Sequence, residues 1–319
     1  MDDKRGQNNN AASFFLILII FVGGALAIPY LLPFFGISTS PPPPPITQGV
    51  IVQSIIQPGS VSPLSRFEVA FTLSNNIRGN QANNVVLCMD NLGIFSIVSN
   101  PLGTNTSCVN VPDMFPGALP RESYSLSSPS NGAYANIPYT QDLGYYLTYS
   151  YTTGASQNVE FVSQQSYNSQ KYPYFQLFSF GNTAGPVQIN TSMSSPAIYG
   201  NDAQILLNLD NVGTGIILGT VSLSISMNSS LLNISSPQSF GLTSKQYQNG
   251  TVVFSGVEAL GTGSTSITLP VQLNQNKMNS LQTGGVPYFL SGMHVSISYN
   301  YEVDGFFPVT LNTETYYSS

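Results

Sequence analysis

Beyond Thr47 the chain is a succession of short segments with alternating apolar residues, the period of two that a half-buried strand requires. Segment 67–73 (FEVAFTL) places Phe67, Val69, Phe71 and Leu73 on one face. Segments 49–57, 85–89, 145–151 and 159–162 continue this first set. A second set follows at 187–193, 204–209, 221–227, 251–257, 266–273, 294–301 and 308–311. Clusters of Gly, Pro, Asn and Ser separate the segments. No amphipathic helical period occurs after Phe35, and 278–281 is the single candidate for one helical turn. The pattern predicts an all-β chain.

The two sets read as an internal repeat. Ser62-Pro63 precedes 67–73 and then Ser74-Asn75-Asn76-Ile77-Arg78-Gly79; Ser195-Pro196 precedes 204–209 and then Asp210-Asn211-Val212-Gly213. Each copy closes on a Tyr-x-Tyr segment: Tyr149-Ser150-Tyr151 before Gly154, and Tyr299-Asn300-Tyr301 before Asp304-Gly305. Asp-Gly between alternating runs is a strong hairpin signal, so a hairpin is expected at each of these glycines. Strands of this length without helices predict two tandem immunoglobulin-like β-sandwiches, 47–165 and 166–319. Their junction is expected in 164–171 (QQSYNSQK), a polar stretch without periodicity. Residues 91–142 read as irregular sequence inserted in the first copy.

This order of motifs (Ser-Pro, alternating strand, Asn-x-Gly, strand, Tyr-x-Tyr) resembles the immunoglobulin-like adhesion and S-layer-type domains of archaeal cell-surface proteins, akin to CARDB modules. The resemblance is clearest over 187–311. It implies a β-sandwich architecture and a place at the cell surface, and it brings no catalytic residues with it.

Ahead of the strands, residues 11–35 carry no charge and are mostly apolar (AASFFLILIIFVGGALAIPYLLPFF). As a helix, a run of that length would exceed the ~30 Å hydrocarbon core of a bilayer. Pro29 and Pro33 weaken the regular helix toward its end. Lys4 and Arg5 precede the segment and no base follows before Arg66, so the N-terminus is expected in the cytoplasm and the rest outside. The expected organisation is a tail over 1–10, a single transmembrane anchor over 11–36 in contact with membrane lipid, and a stalk over 37–46. Pro41 to Pro45 give that stalk polyproline stiffness. Two other fates stay open. One is a signal peptide clipped after Ala27, where Ala25-Leu26-Ala27 fits the small-x-small pattern. The other is a pilin-like leader cut after Gly6, since Lys4-Arg5-Gly6-Gln7 resembles the leader site of archaeal type IV pilins.

Charged residues are only 7% of the chain, against about 25% in ordinary soluble domains. Hydroxyl and amide side chains fill the polar surface instead. Six bases scattered over the chain beyond Phe35, with a net charge of −6, exclude a phosphate-binding patch, so no nucleic-acid partner is expected.

Cys88 and Cys108 are the only cysteines, and outside the cell a pair so spaced is expected to oxidise. Structural metal and Cys-His catalysis both need more ligands or bases than the lone His294 supplies. No Gly-x-Ser-x-Gly elbow is present. Asp90-Asn91-Leu92-Gly93 and Asp210-Asn211-Val212-Gly213 read as turns in which the side chain bonds its own backbone rather than as calcium loops. Tyr145, Tyr146, Tyr149 and Tyr151 are read mainly as sheet tyrosines, with a sugar- or protein-binding face as the other possibility. Five sequons, at Asn105, Asn190, Asn228, Asn233 and Asn249, are glycosylation candidates.

The reading that follows is a non-catalytic, cofactor-free structural or adhesion protein of a cell envelope, with envelope proteins, glycans or further copies as partners. A filament subunit with a pilin-like leader is the rival within this class. An anchored hydrolase or solute-binding protein is the rival outside it.

Overall fold

The computed structural model describes residues 49–313 except 78, 131–136, 163–167, 169–178, 181–182, 194–196, 199–202, 230–231, 235–236, 248–250, 260–262 and 275–287. The expected anchor, Lys4, Arg5, Gly6, Ala27, the proline stalk, the turn at 278–281 and Asn249 therefore lie outside the described residues. So does the expected junction at 164–171, apart from Asn168. Among the described residues no helix is long and apolar enough to cross a membrane. The chain divides into two units, Met1–Pro45 and Ile46–Ser319, and every described residue lies in the larger.

The larger unit is all-β. Its first half holds β1 (Val50–Ile56), β2 (Ser60–Val61), β3 (Arg66–Asn75), β4 (Asn83–Asp90), β5 (Ser96–Ser99), β6 (Cys108–Val111), β7 (Arg121–Ser127) and β8 (Tyr139–Val162). The second half holds β9 (Ser179–Phe180), β10 (Val187–Met193), β11 (Ala197–Ile198), β12 (Ala203–Asn211), β13 (Ile216–Asn228) and β14 (Leu232–Ile234). A 3-10 turn at Pro237–Phe240 precedes β15 (Thr243–Gln246), β16 (Thr251–Ala259), β17 (Ser264–Leu273) and β18 (Tyr288–Leu311). Two four-stranded sheets, β1-β3-β7-β5 and β10-β12-β17-β14, accompany one large sheet of order β15-β16-β13-β18-β8-β4-β6, with β2, β9 and β11 at its margins.

The repeat is present in the pairings. β1 pairs with β3 as β10 does with β12, β3 with β7 as β12 with β17, and β4 with β8 as β13 with β18. Val50 stands opposite Asn75, and Val187 opposite Asn211, at equivalent rungs. Even the short strands correspond: β2 runs parallel to the end of β18, and β11 parallel to the end of β8.

Neither expected hairpin forms. β8 and β18 run straight through Gly154 and through Asp304-Gly305, and pair antiparallel with one another over all 24 residues, from Tyr288–Val162 to Leu311–Tyr139. At ~3.3 Å per residue each strand extends about 80 Å. An Asp-Gly hairpin needs left-handed φ angles, and neither Asp304 nor Gly305 has one. Gly305 is glycine for another reason: the ring of Tyr145, directly opposite, occupies the space a Cβ would take. Gly154 sends both its N–H and its C=O to Thr183 in the chain leading to β10.

Because each long strand crosses the midpoint, the large sheet is shared by the two halves. Residues 139–150 pair with 300–311 in the first half, and 151–162 with 288–299 in the second. Odd-numbered side chains of both strands face inward along nearly their whole length, including Leu147, Tyr149 and Phe161 of β8 and Val295, Tyr301 and Val309 of β18. The small sheets pack on that face. Phe71 of β3 meets Tyr145 of β8 and Phe307 of β18 edge-on at 5.4 and 5.9 Å, and Tyr124 of β7 donates to the Leu87 carbonyl of β4 at 2.8 Å. One contiguous apolar cluster spans both halves.

The segment 91–142, read as irregular, holds β5, β6 and β7. β7 (RESYSLS) buries only Tyr124 and Leu126, so its alternation is carried by two apolar residues among serines and charges.

Candidate interaction surface

Four tyrosines meet at the midpoint of the shared sheet. Tyr149 faces Tyr301 and Tyr151 faces Tyr299 across the β8–β18 ladder, with ring centres 5.7 and 6.3 Å apart. All four are buried. The Tyr301 hydroxyl accepts from the Gly215 amide at 2.9 Å and donates to Asn211 Oδ1 at 3.0 Å. Tyr299 accepts from the Val187 amide at 3.3 Å and shares a 3.0 Å bond with Thr153. Tyr149 packs against the start of β1, where Gly49 leaves room for its hydroxyl. Burial pushes the phenols of Tyr149, Tyr151, Tyr299 and Tyr301 upward, because the anion would lose its hydration. Tyr149 and Tyr151 are thus core residues, and the binding-face reading does not hold for them. Tyr145 turns inward onto Phe71, and only Tyr146 turns outward.

The opposite face of the shared sheet is lined with hydroxyls and amides. Thr140 bonds Thr310 at 2.9 Å, Ser150 donates to Asn300 at 2.8 Å, Thr152 bonds Ser298 at 2.8 Å, and Ser156 bonds His294 Nδ1 at 3.0 Å. β13 extends this lining with Ser222, Ser224 and Ser226. Two open depressions lie on the second half, one of 440 Å³ beside Gly292 and His294, the other of 520 Å³ between Ser224, Ser255 and Ser296. Such a surface offers hydrogen-bond donors and acceptors at sheet spacing with little charge, which suits sugar hydroxyls and uncharged peptide groups. Towards the first half the same face carries Asp90, Asp142, Glu302 and Asp304.

One edge differs between the halves. β9 pairs with β8 at Ser156 and Gln157, whereas between 303 and 309 no described strand pairs with the outer edge of β18. Thr310 donates across that edge to Gly59, so alternation turns the backbone of 304, 306 and 308 to it as well. Asp304 and Pro308 blunt it, one by charge and one by lacking an N–H.

Cys88 and Cys108 form a disulfide between directly opposed residues of β4 and β6, their Cα atoms 4.0 Å apart. The bond lies on the outer face, and the Tyr146 hydroxyl approaches Cys108 Sγ at 3.7 Å. Cys108 opens β6 at the end of the large sheet. For a closed loop of this size, replacing both cysteines by serine is expected to lower stability by about 3 kcal/mol. Urea unfolding of the double variant against the parent, both without reductant, measures that difference.

Among the described residues no three His, Cys, Asp or Glu side chains converge on a metal-sized site. The Asp90-Asn91 turn behaves as the sequence implies: Asp90 accepts from the Asn91 amide at 2.6 Å, and Asn91 and Gly93 both have positive φ. Asn211 also bonds local backbone, donating to the Gly215 carbonyl at 3.0 Å, and it joins the tyrosine cluster by accepting from Tyr301. Its counterpart Asn75 donates to Asn80 and Met114 carbonyls and accepts from the Ile77 amide. Sequence reasoning used Asn75 and Asn211 as repeat and turn residues, and their equal place after the repeated strand was the signal for this shared bonding role.

Of the sequons, Asn105 sits exposed in the 100–107 loop, Asn190 lies on β10 donating to Asp210 at 3.0 Å, Asn228 ends β13, and Asn233 lies on β14. A transferase needs the acceptor chain free of a ladder, so glycopeptide mapping in a glycosylating host is expected to find Asn105 occupied ahead of Asn190.

No family model matches the chain, and no curated protein matches it. Among solved structures it is similar to a DUF4785 family protein of Legionella pneumophila, at 9% identity over 69% of this chain and 46% of that one, with a TM-score of 0.15. It is also similar to the collagen adhesin of S. aureus, at 10% identity over 84% of this chain and 93% of that one, with a TM-score of 0.13. The chain spans less than half the length of the first. At those scores neither likeness carries an argument, and the surface described above stands on this chain's own residues.

Proposed function

We propose that this chain is a non-catalytic structural or adhesion protein of a cell envelope, held to the membrane by 11–36 with both β-halves outside. The carrying observation is the shared sheet: two 24-residue strands fasten the halves together under an outer face of hydroxyls and amides. Such a body is built to bear load and to present an uncharged surface to glycans or neighbouring envelope proteins. Each half reads as an immunoglobulin-like sandwich. The order β1-β3-β7-β5 follows the A-B-E-D sheet, and β4-β8-β18 follows the facing C-F-G sheet, with the last strand supplied by the other half and β6 added beside β4. The same holds for β10-β12-β17-β14 against β13-β18-β8, with β16 added beside β13.

The test is topology in living cells. An epitope placed after Ser319 is expected to be removed by protease added to intact cells, and the protein to sediment with membranes. Protection of the epitope until lysis, or a freely soluble protein, would overturn the reading. Mass spectrometry of the N-terminus accompanies it: an intact 1–36 supports the anchor, whereas a start at Gln7 moves the protein to the filament reading.

A further inference from the structure

We propose that copies of this chain join one another by exchanging halves across the β8–β18 seam. In each half the sheet lacks a final strand of its own. The first half is completed by 300–311 and the second by 151–162, and β2 and β11 close on those borrowed strands too. Every bond across the seam, including Thr152–Ser298 and the Tyr149–Tyr301 stack, joins two halves whose covalent link is the segment between β8 and β10. Nothing in the ladder requires the partner half to belong to the same chain. The seam of a second copy is identical, which makes exchange a low-cost route to assembly.

Mass action sets when this happens. Partners held in one chain by a short flexible tether meet at an effective concentration on the order of 1 mM, so a dilute chain closes on itself. Copies crowded on a surface approach that regime. Once zipped, 24 paired residues per strand separate slowly, so the choice of partner is made while neighbouring chains fold together. If the first half of one copy takes the second half of another, each copy keeps one free half. The result is a head-to-tail row, or a closed pair. The proposal does not rest on the envelope reading, because exchange is a property of the seam wherever the chain resides.

Thr152 and Ser298 provide the probe, being directly opposite, exposed and 2.8 Å apart at their oxygens. Full-length Thr152→Cys and Ser298→Cys chains with different epitopes are co-expressed in one cell and treated with a short bismaleimide. The expected result is a covalent dimer carrying both epitopes, several-fold above the level in cells making either variant alone. The double variant T152C/S298C, expressed alone, is expected to link within the chain and so verifies the register. An internal link in the double variant without a two-epitope dimer in the co-expressed pair overturns the proposal. Failure of the double variant to link overturns it too, since the seam would not then be as described.

Discussion

Replacing Tyr301 by Ala is expected to lower stability by about 3–5 kcal/mol, the range for deleting a fully buried aromatic ring, and to unfold both halves in one transition. Tyr301 lies on the part of β18 that completes the first half, yet its hydroxyl is held by Gly215 and Asn211 of the second. Its ring touches Tyr149 from one half and Tyr299 from the other. The change therefore opens a cavity where the two halves share a strand pair. Tyr301→Phe separates ring from hydroxyl: it keeps the packing and leaves the Gly215 amide unpaired, at a cost of about 1–3 kcal/mol. Hydrogen exchange followed by mass spectrometry reads the outcome. Peptides from β3 and from β16 are expected to lose protection at the same urea concentration in parent and variant alike. Separate transitions would mean that the halves are independent domains and that the shared strands do not couple them.

Alkaline pH is expected to unfold the protein cooperatively once it rises well above the ordinary tyrosine value. Tyr149 and Tyr299 are held upward first by burial, and then by the neighbouring phenols of the cluster. An unfolded tyrosine releases its proton near pH 10 while these two retain theirs, so the unfolded state binds fewer protons above that point. Stability is then undiminished below about pH 10 and falls above it by roughly 1.4 kcal/mol per pH unit for each such tyrosine. Tyr124 and Tyr151 shift in the same direction, again mainly through burial. Tyrosinate absorbance and circular dichroism followed together should show exposed tyrosines titrating first and the buried set only as the β signal collapses. A smooth titration of all 18 tyrosines with the fold intact would contradict the buried cluster.

Much of the architecture was legible because burial on one face of a strand imposes a period of two. The run FEVAFTL lies within β3 with Phe67, Val69, Phe71 and Leu73 buried, as its alternation requires. Repetition of that segment, with Asn75 and Asn211 after it, recovers the two copies. The cysteine pair was also readable, since two thiols in one chain leave a single pairing. What escaped were strands too short or too poor in apolar residues to show a period, such as β5 (SIVS) and β7 (RESYSLS). The tyrosine cluster escaped as well: its aromatics were visible, but not that two Tyr-x-Tyr segments so far apart in the chain would face each other.

The local sequence determined which side of each strand faces the core, and it did so even within the strands whose ends were misread. Asp304-Gly305-Phe306-Phe307 is compatible with a hairpin, which would turn Phe306 inward opposite Val303, and equally with a strand that buries Phe307. Only the tertiary structure decided between them, leaving Phe306 74% exposed and Phe307 5%. The reason is physical. A turn signal weighs a few φ angles against one another, whereas running on lets two strands satisfy 24 rungs of backbone pairing and complete a sheet in each half. That gain exists only when the distant partner strand is present, so no window of local sequence contains it.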